Sequence, residues 1–289
     1  MTVGPLLRWF QPRRRAYPWR DRPTPYRVLV SEVMLQQTQA ARVAPAFRAF
    51  VRRFPSVRSL AAASREEVLR AWAGLGYNRR AVALSEAARA VVRDHGGRIP
   101  RRVDELVRLP GVGPYTAAAV AALAYGEPVA AVDTNVRRVV VRHRLGVEAP
   151  VATAGEVERA ARRWIDVRRP GDWNQAVMDL GREVCRPVPR CVACPVAASC
   201  RFSPDGRRPV RTRRAPAAPF EGSSRQLRGA VVRALLGRSP LTLRALSAAA
   251  SRPLEEVTAA VRALRRDGVV EAGPAALDGR AQGRVRLSR

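Results

Sequence analysis

Apolar positions recur every three or four residues along most of residues 1–202, a spacing that predicts short amphipathic helices joined by tight connections. It places helices over Tyr26–Gln39, Ala41–Arg53, Arg65–Trp72, Arg80–His95, Val103–Arg108, Pro114–Tyr125 and Thr134–Arg144. Two further runs, Glu156–Val167 and Asn174–Val184, lead into a segment that carries every cysteine of the chain. Proline or glycine stands at most boundaries, as at Pro55, Gly74, Gly76, Gly96, Gly97, Pro110 and Gly126. Alternating β-branched runs are scarce, so this part is expected to be all-α.

The pattern changes after Phe202. From Ser203 to Arg225, Pro204, Pro209, Pro216 and Pro219 alternate with Arg207, Arg208, Arg211, Arg213 and Arg214. Such a stretch is too polar and proline-rich to fold alone, and serves either as a tether or as a strap against phosphates. Residues 226–289 return to periodicity, with helical patterns over Leu227–Leu236, Leu241–Ala250 and Pro253–Arg266. Two short alternating runs follow, Gly268–Glu271 and Arg284–Leu287, joined by a glycine-containing loop. Three helices and a hairpin resemble a winged helix, with Arg262, Arg265 and Arg266 on its third helix. Such modules bind DNA or protein partners about equally often.

Charge narrows the partner. The chain of 289 residues has 53 basic and 24 acidic side chains, a formal charge of +29. A surplus of that size favours a polyanion. Every basic residue is arginine, with no lysine at all. A GC-rich genome accounts for arginine in place of lysine, but not for the net excess. The lack of lysine also excludes a lysine Schiff base, the usual covalent route of strand-cleaving repair lyases, and leaves only the N-terminal amine for that chemistry. Arg8 and Arg13–Arg15 interrupt any signal-peptide core, and the run Thr116–Tyr125 is too short to span a bilayer. The expectation is a soluble, cytoplasmic, nucleoid-associated monomer of two or three domains.

The cysteines are Cys185, Cys191, Cys194 and Cys200, spaced C-x5-C-x2-C-x5-C. Four thiolates so close in sequence suit an iron–sulfur cluster first and a structural zinc second. Two disulfides come a distant third, since the chain shows no secretory signal.

Two local signals bear on chemistry. Leu109-Pro110-Gly111-Val112-Gly113 links two predicted helices, and its glycines let backbone approach a ligand closely. Unpaired N–H groups at the start of the second helix would then meet a phosphate. Glu32 lies on a predicted helix with Val28, Leu29, Leu35 and Gln36 one turn away. Those flanks disfavour the carboxylate, so its pKa should rise and leave a proton near neutral pH; a half-exposed helix glutamate is the plainer alternative.

These motifs come in a particular order: Ser31 to Gln39 (SEVMLQQTQ), Gly74 to Tyr77 (GLGY), Leu109 to Ala117 (LPGVGPYTA), Val132 to Arg138 (VDTNVRR), then the four cysteines. In that order the chain resembles the helix-hairpin-helix–GPD DNA glycosylases, and within them the MutY adenine glycosylases, over roughly two thirds of its length from Pro18 to Cys200. The resemblance implies a two-lobed core over 1–202, with a six-helix lobe at about 22–134 and a cluster lobe from 1–21 plus 135–202. The linker 203–225 and the winged-helix-like domain 226–289 would follow.

The resemblance also implies residue roles. Glu32 protonates the purine ring and makes adenine a leaving group. Asp133, whose plainer role is a helix N-cap worth ~1 kcal/mol, stabilises an oxocarbenium-like sugar. Protonated Glu beside ionised Asp is the division of labour used in glycoside hydrolysis. Asn135 and Tyr115 place water and substrate. Tyr115 stands where bifunctional relatives such as endonuclease III carry lysine, so a monofunctional hydrolase is implied. A glycosylase must extrude its nucleotide; Gln37 and Tyr77 match wedge positions, while Arg20 and Gln175 surround the flipped base and Trp19 packs the pocket wall. Gly111 and Gly113 grip phosphate. His95 and His143 are isolated, with a structural or exposed place.

Cys185, Cys191, Cys194 and Cys200 would hold a 4Fe–4S cluster beside a DNA-facing loop with Arg186, Arg190 and Arg201, although the family usually has six residues between its first two cysteines and this chain has five. Residues 226–289 are too short and too helical for the pyrophosphohydrolase-like domain with which such glycosylases inspect oxidised guanine. The expected partner is double-stranded DNA with adenine opposite oxidised or normal guanine. Alternatives are another base, such as thymine opposite guanine or hypoxanthine, and a non-catalytic DNA-binding regulator.

Overall fold

The computed structural model describes residues 3–202 and 219–289, so most of the expected basic linker lies outside the described residues. In chain order come α1 (Gly4–Phe10), α2 (Pro18–Asp21), α3 (Pro25–Leu35), α4 (Ala40–Arg53), α5 (Val57–Ala62), α6 (Arg65–Ala71) and α7 (Arg79–Asp94). Next are α8 (Val103–Leu106), α9 (Pro114–Tyr125), α10 (Thr134–Val140), α11 (Ala154–Arg162) and α12 (Pro170–Glu183). The C-terminal segment contains α13 (Ser224–Gly237), β1 (Leu241–Thr242), α14 (Leu243–Ala250), α15 (Leu254–Arg266), β2 (Val270–Ala272), α16 (Pro274–Leu277) and β3 (Arg284–Leu287). The contacts divide into two units, one from Met1–Val33 with Ile99–Arg213, the other from Met34–Arg98 with Arg214–Arg289.

The first unit is helical. Its core gathers Leu6, Leu7 and Phe10 of α1, Val136, Val139 and Val140 of α10, and Trp173, Val177 and Leu180 of α12. Those side chains sit three or four apart on each helix, which is why one stripe of each faces the others. Gly171 lets the start of α12 lie against α9, where an added Cβ would sit 3.3 Å from the Ala122 carbonyl.

In the second unit, Phe47, Phe50, Leu60, Leu69, Trp72 and Leu84 are fully buried, with Phe50 edge-on to Trp72 at 5.9 Å. Ser64 and Glu67 close a capping box at the start of α6, each side chain bonding the other's backbone N–H. The C-terminal helices belong to this unit: Arg70 donates to the Leu236 carbonyl, and Gly268 abuts Val82. Their sheet is antiparallel in the order β1-β3-β2, with Leu241 opposite Val285 and Glu271 opposite Arg286.

Four expectations change, among them the helix predicted over Glu156–Val167, which spans Ala154–Arg162 instead. The helix predicted over Tyr26–Gln39 ends at Leu35, because Gln37 takes φ 56° and leaves the helical region. The one predicted over Thr134–Arg144 stops at Val140 and widens into a five-residue π turn, Val141–Leu145, which closes on left-handed Gly146. Leu241 and Thr242 are a strand and not the start of a helix; Thr242 accepts from Ala245 N–H as the cap of α14. A two-residue strand is too short to show alternation, and α16 between β2 and β3 hides behind the expected hairpin loop.

Candidate active site

Helix α3 is apolar on nearly every side: Val28, Leu29, Val30, Val33 and Met34 are all buried. Glu32 is carried inward with them and is 6 % exposed. Its carboxyl is pushed up to about 7, chiefly because burial penalises the anion. The Tyr115 hydroxyl, hydrogen-bonded to it, and the Arg20 guanidinium pull the other way, while the charge of Asp133 adds to the rise. Tyr115, at the start of α9, is itself raised far above the usual phenol range by burial and then by the charges of Glu32 and Asp133. The structure therefore brings Glu32, Tyr115, Asp133 and Arg20 within electrostatic reach of one another inside the first unit.

Asp133 caps α10. One carboxylate oxygen accepts from the Val136 N–H at 2.6 Å, the other from the Asn135 side-chain amide at 3.1 Å. The chain of contacts goes on, with Asn135 Oδ1 accepting from Arg138 Nη2 at 2.8 Å. Arg138 in turn donates to the carbonyls of Gly181 and Cys185 at 2.6 and 2.7 Å. Asn135 is thus fixed on both sides, and its amide orientation follows from that network. Gly181 is required here: a Cβ would stand 2.8 Å from the Asn135 Cβ.

The segment before Asp133 is anchored from α12. Asn174, fully buried, accepts from the Ala131 N–H at 2.7 Å and donates to the Val129 carbonyl at 2.9 Å. Its neighbour Gln175 is 6 % exposed, and its buried Oε1 has no hydrogen-bond partner. Arg20 forms a two-pronged pair with Asp179 at 3.0 and 3.1 Å, both side chains largely buried. Asp179 follows Gln175 by one turn of α12, so the two share a face. Trp19 is buried and stacked on Tyr17 at 4.8 Å. Sequence reading missed Asn174, Asp179 and Arg138, since no motif marks which distant group each one meets.

The hairpin places Gly111 at φ 72° and Gly113 as the cap of α9, with Pro114 at the first helical position. The first-turn N–H groups of α9 are left without an intrahelical acceptor, as at any helix start. Gln37 and Tyr77 lie in the second unit, both exposed and both in the left-handed region, at φ 56° and 47°. Tyr77 is 46 % exposed.

The four cysteines are free and half-buried. Burial raises Cys185, Cys194 and Cys200, and each senses the charge of its fellows. Among the described residues no three His, Cys, Asp or Glu side chains are grouped as for a single metal ion. The surroundings nevertheless suit bound thiolates. The Arg142 guanidinium lies 3.8 Å from Cys185 Sγ, forks onto Glu148 at 3.0 and 3.1 Å, and donates to the carbonyls of Arg186 and Pro187. Cys200 Sγ lies 3.9 Å from the Arg142 carbonyl, so two of the four thiols meet this arginine. Arg186, Arg190 and Arg201 are exposed around it. His143, expected to stand alone, is stacked on Trp164 at 4.2 Å, with Nε2 3.0 Å from Ser199 Oγ; burial pushes it down to about 4.

Residues 30–166 match the family described as HhH-GPD superfamily base excision DNA repair protein. The adenine DNA glycosylase of Mycolicibacterium smegmatis is 40 % identical over 278 residues, which cover 94 % of each chain. The human adenine DNA glycosylase is 44 % identical over 210 residues, 68 % of this chain and 38 % of the human one, so the chain spans only about two fifths of that relative. Among solved structures, a thermostable thymine-DNA glycosylase aligns with TM-score 0.65 at 31 % identity, over 69 % of this chain and 94 % of that one. A trapped endonuclease III–DNA covalent intermediate aligns with TM-score 0.58 at 26 % identity, over 68 % and 91 %.

Proposed function

The chain belongs to the HhH-GPD base excision DNA repair proteins, among the adenine DNA glycosylases, and from that premise we propose that it hydrolyses the N-glycosidic bond of adenine mispaired with oxidised or normal guanine. The observation that carries this reading is the buried Glu32, held near pKa 7 against Tyr115 and within reach of the charge of Asp133. A carboxyl at that value is still about half protonated at neutral pH, and that acid form can protonate the base as its bond to the sugar breaks. Asp133, tied by Val136 N–H and Asn135, faces the developing sugar cation as a fixed negative charge. Water then adds to the sugar, with Asn135 and Tyr115 orienting it, and its proton goes to the Glu32 carboxylate that the first step left behind. No lysine exists to form a Schiff base, so, the N-terminal amine apart, an intact abasic strand is the expected product.

Arg20 and Gln175 would line the pocket of the extruded base. Gln175 supports this with an unpartnered buried amide oxygen, suited to an exocyclic amino group. Gln37 and Tyr77 would fill the gap in the duplex, and the Gly111–Gly113 turn would hold a phosphate at the start of α9. Cys185, Cys191, Cys194 and Cys200 would bind a 4Fe–4S cluster, which supplies a fixed scaffold for the surrounding loop. In the C-terminal segment, read as winged-helix-like, Arg262, Arg265, Arg266 and Leu277 line a cleft of about 420 Å³ that would take backbone phosphates. The lobe division 22–134 against 1–21 with 135–202 belongs to the same reading.

The test is a panel of duplexes carrying adenine opposite oxidised guanine, adenine opposite guanine, thymine opposite guanine and hypoxanthine, followed by alkali cleavage. Cleavage at adenine supports the assignment. Release of thymine alone would move the chain to the chemistry named for its thymine-DNA glycosylase neighbour, and no release from any duplex would leave a binding protein.

A further inference from the structure

Arg80 sits at the first turn of α7, in the second unit, and both terminal nitrogens of its guanidinium donate to other parts of the chain. Nη1 donates to the Met34 carbonyl at 2.8 Å and to that of Gln36. Nη2 donates to Thr38 Oγ1 at 3.1 Å, the Gly76 carbonyl at 3.2 Å and the Leu75 carbonyl at 3.4 Å. The same cation lies 5.4 Å from the ring centre of Trp72 and 5.3 Å from that of Tyr77. Trp72 Nε1 also donates to the Gly76 carbonyl, at 3.1 Å.

Those partners are not scattered. Met34, Gln36 and Thr38 belong to the turn that ends α3 and displays Gln37; Leu75 and Gly76 belong to the turn that displays Tyr77. Gln37 and Tyr77, with Ser251, are the non-glycine residues at positive φ among the described residues. Such backbone is costly for a side chain with a Cβ, and persists where the surroundings enforce it. One guanidinium supplies that enforcement to both turns at once. The carbonyls it holds at the end of α3 are also those that a helix leaves unpaired, where a cation is favoured.

We propose that Arg80 is the positioning residue of this enzyme: its fork fixes the Gln37 and Tyr77 turns in one relation to each other, and base extrusion depends on that fork. The inference rests on the function proposed above, in which these two side chains enter the duplex. Charge alone is insufficient, because an ammonium is a point donor and cannot span two turns as a planar fork does. Placement matters because a displacement of about 1 Å in a group that positions substrate costs a rate of about a hundredfold.

The experiment reads extrusion apart from chemistry. In a Glu32→Gln background, a duplex carrying 2-aminopurine opposite guanine brightens when that base leaves the stack. The parent is expected to brighten, whereas Arg80→Lys and Arg80→Met, each added to that background, should lose most of the rise. With Glu32 restored, both should slow single-turnover adenine excision by about tenfold to a hundredfold. Thr38→Val, which removes one acceptor and leaves the guanidinium, should fall between; it also keeps the test decisive if Arg80→Met does not fold. Melting curves establish that each variant is folded at the assay temperature.

Full brightening with the folded variants would overturn the proposal while leaving the glycosylase reading intact. So would a fall of about 0.9 in the salt slope of binding on replacing Arg80, the sign of a phosphate contact instead. A parent that never brightens, together with no adenine release from the unmutated chain, would remove the function itself.

Discussion

Replacing Glu32 with glutamine while varying pH separates what the side chain does for the fold from what it does for the reaction. In the folded chain its pKa stands near 7, against 4.5 for the ordinary value, with burial as the leading cause. At about 1.4 kcal/mol per unit, the neutral form is favoured by about 3 kcal/mol. Below pH 4.5 both folded and unfolded chains hold the proton, so the group contributes no pH dependence there. Between 4.5 and about 7 the unfolded chain gives its proton up first, and stability falls as pH rises. Above 7 the full penalty is present. Glutamine carries no charge to desolvate and its carbonyl still accepts from Tyr115. Glu32→Gln should therefore be more stable than the unmutated chain by up to about 3 kcal/mol at pH 8, the gap vanishing near pH 4. Urea unfolding at the two pH values measures it.

Excision should move the opposite way. Single-turnover release of adenine by the unmutated chain should be flat below pH 7 and fall about tenfold per unit above it, as the acid form is lost. The glutamine variant should lose at least about a hundredfold at any pH. An excision rate constant from pH 6 to 9, or a glutamine variant no more stable than its parent at pH 8, would refute the reasoning from burial to acid catalysis.

Other substitutions test the frame around this acid. Asp133→Asn keeps an acceptor for the Val136 N–H and should melt near the unmutated chain, yet lose excision; Asp133→Ala should also cost about 1 kcal/mol through the lost cap. Gly181→Ala drives a methyl against Asn135 and should destabilise by about 1–3 kcal/mol, with excision reduced even where the protein is folded. Arg142→Met leaves the half-buried Glu148 without its partner, at a cost of about 1–3 kcal/mol; iron content and the brown absorbance should fall with it, and a zinc-rich, iron-free preparation of the unmutated chain would contradict the proposed cluster.

Much of the helical order was legible because it is local. Pro114–Tyr125 carries its own start signal, a glycine cap followed by proline, and ends at Gly126 in the left-handed region; sequence and structure agree on both ends. Glu32 could be singled out from its apolar neighbours on one helix, and the expected rise in its pKa is present. Helix ends that depend on a distant group were misplaced. Nothing near Leu35 announces a stop, since the turn after it is held by Arg80, 44 residues from Gln36.

Local spacing, composition and motif order belong to the chain itself: periodic apolar residues must form helices to bury one stripe, four close cysteines present a donor set, and a large arginine surplus seeks an anion. Partner choice belongs to packing. All 53 basic residues are arginine and look alike in sequence, yet folding divides them. Arg20 is committed to Asp179, 159 residues away, Arg138 to Asn135 and the Cys185 carbonyl, and Arg142 to Glu148 and the Cys185 sulfur. Arg265 and Arg266 line an open cleft instead, beside Arg262, which donates to the Leu277 carbonyl. A guanidinium has five donors and accepts any carbonyl or carboxylate within reach, so only the tertiary arrangement of backbone could decide which of them build the site and which are left for solvent or phosphate.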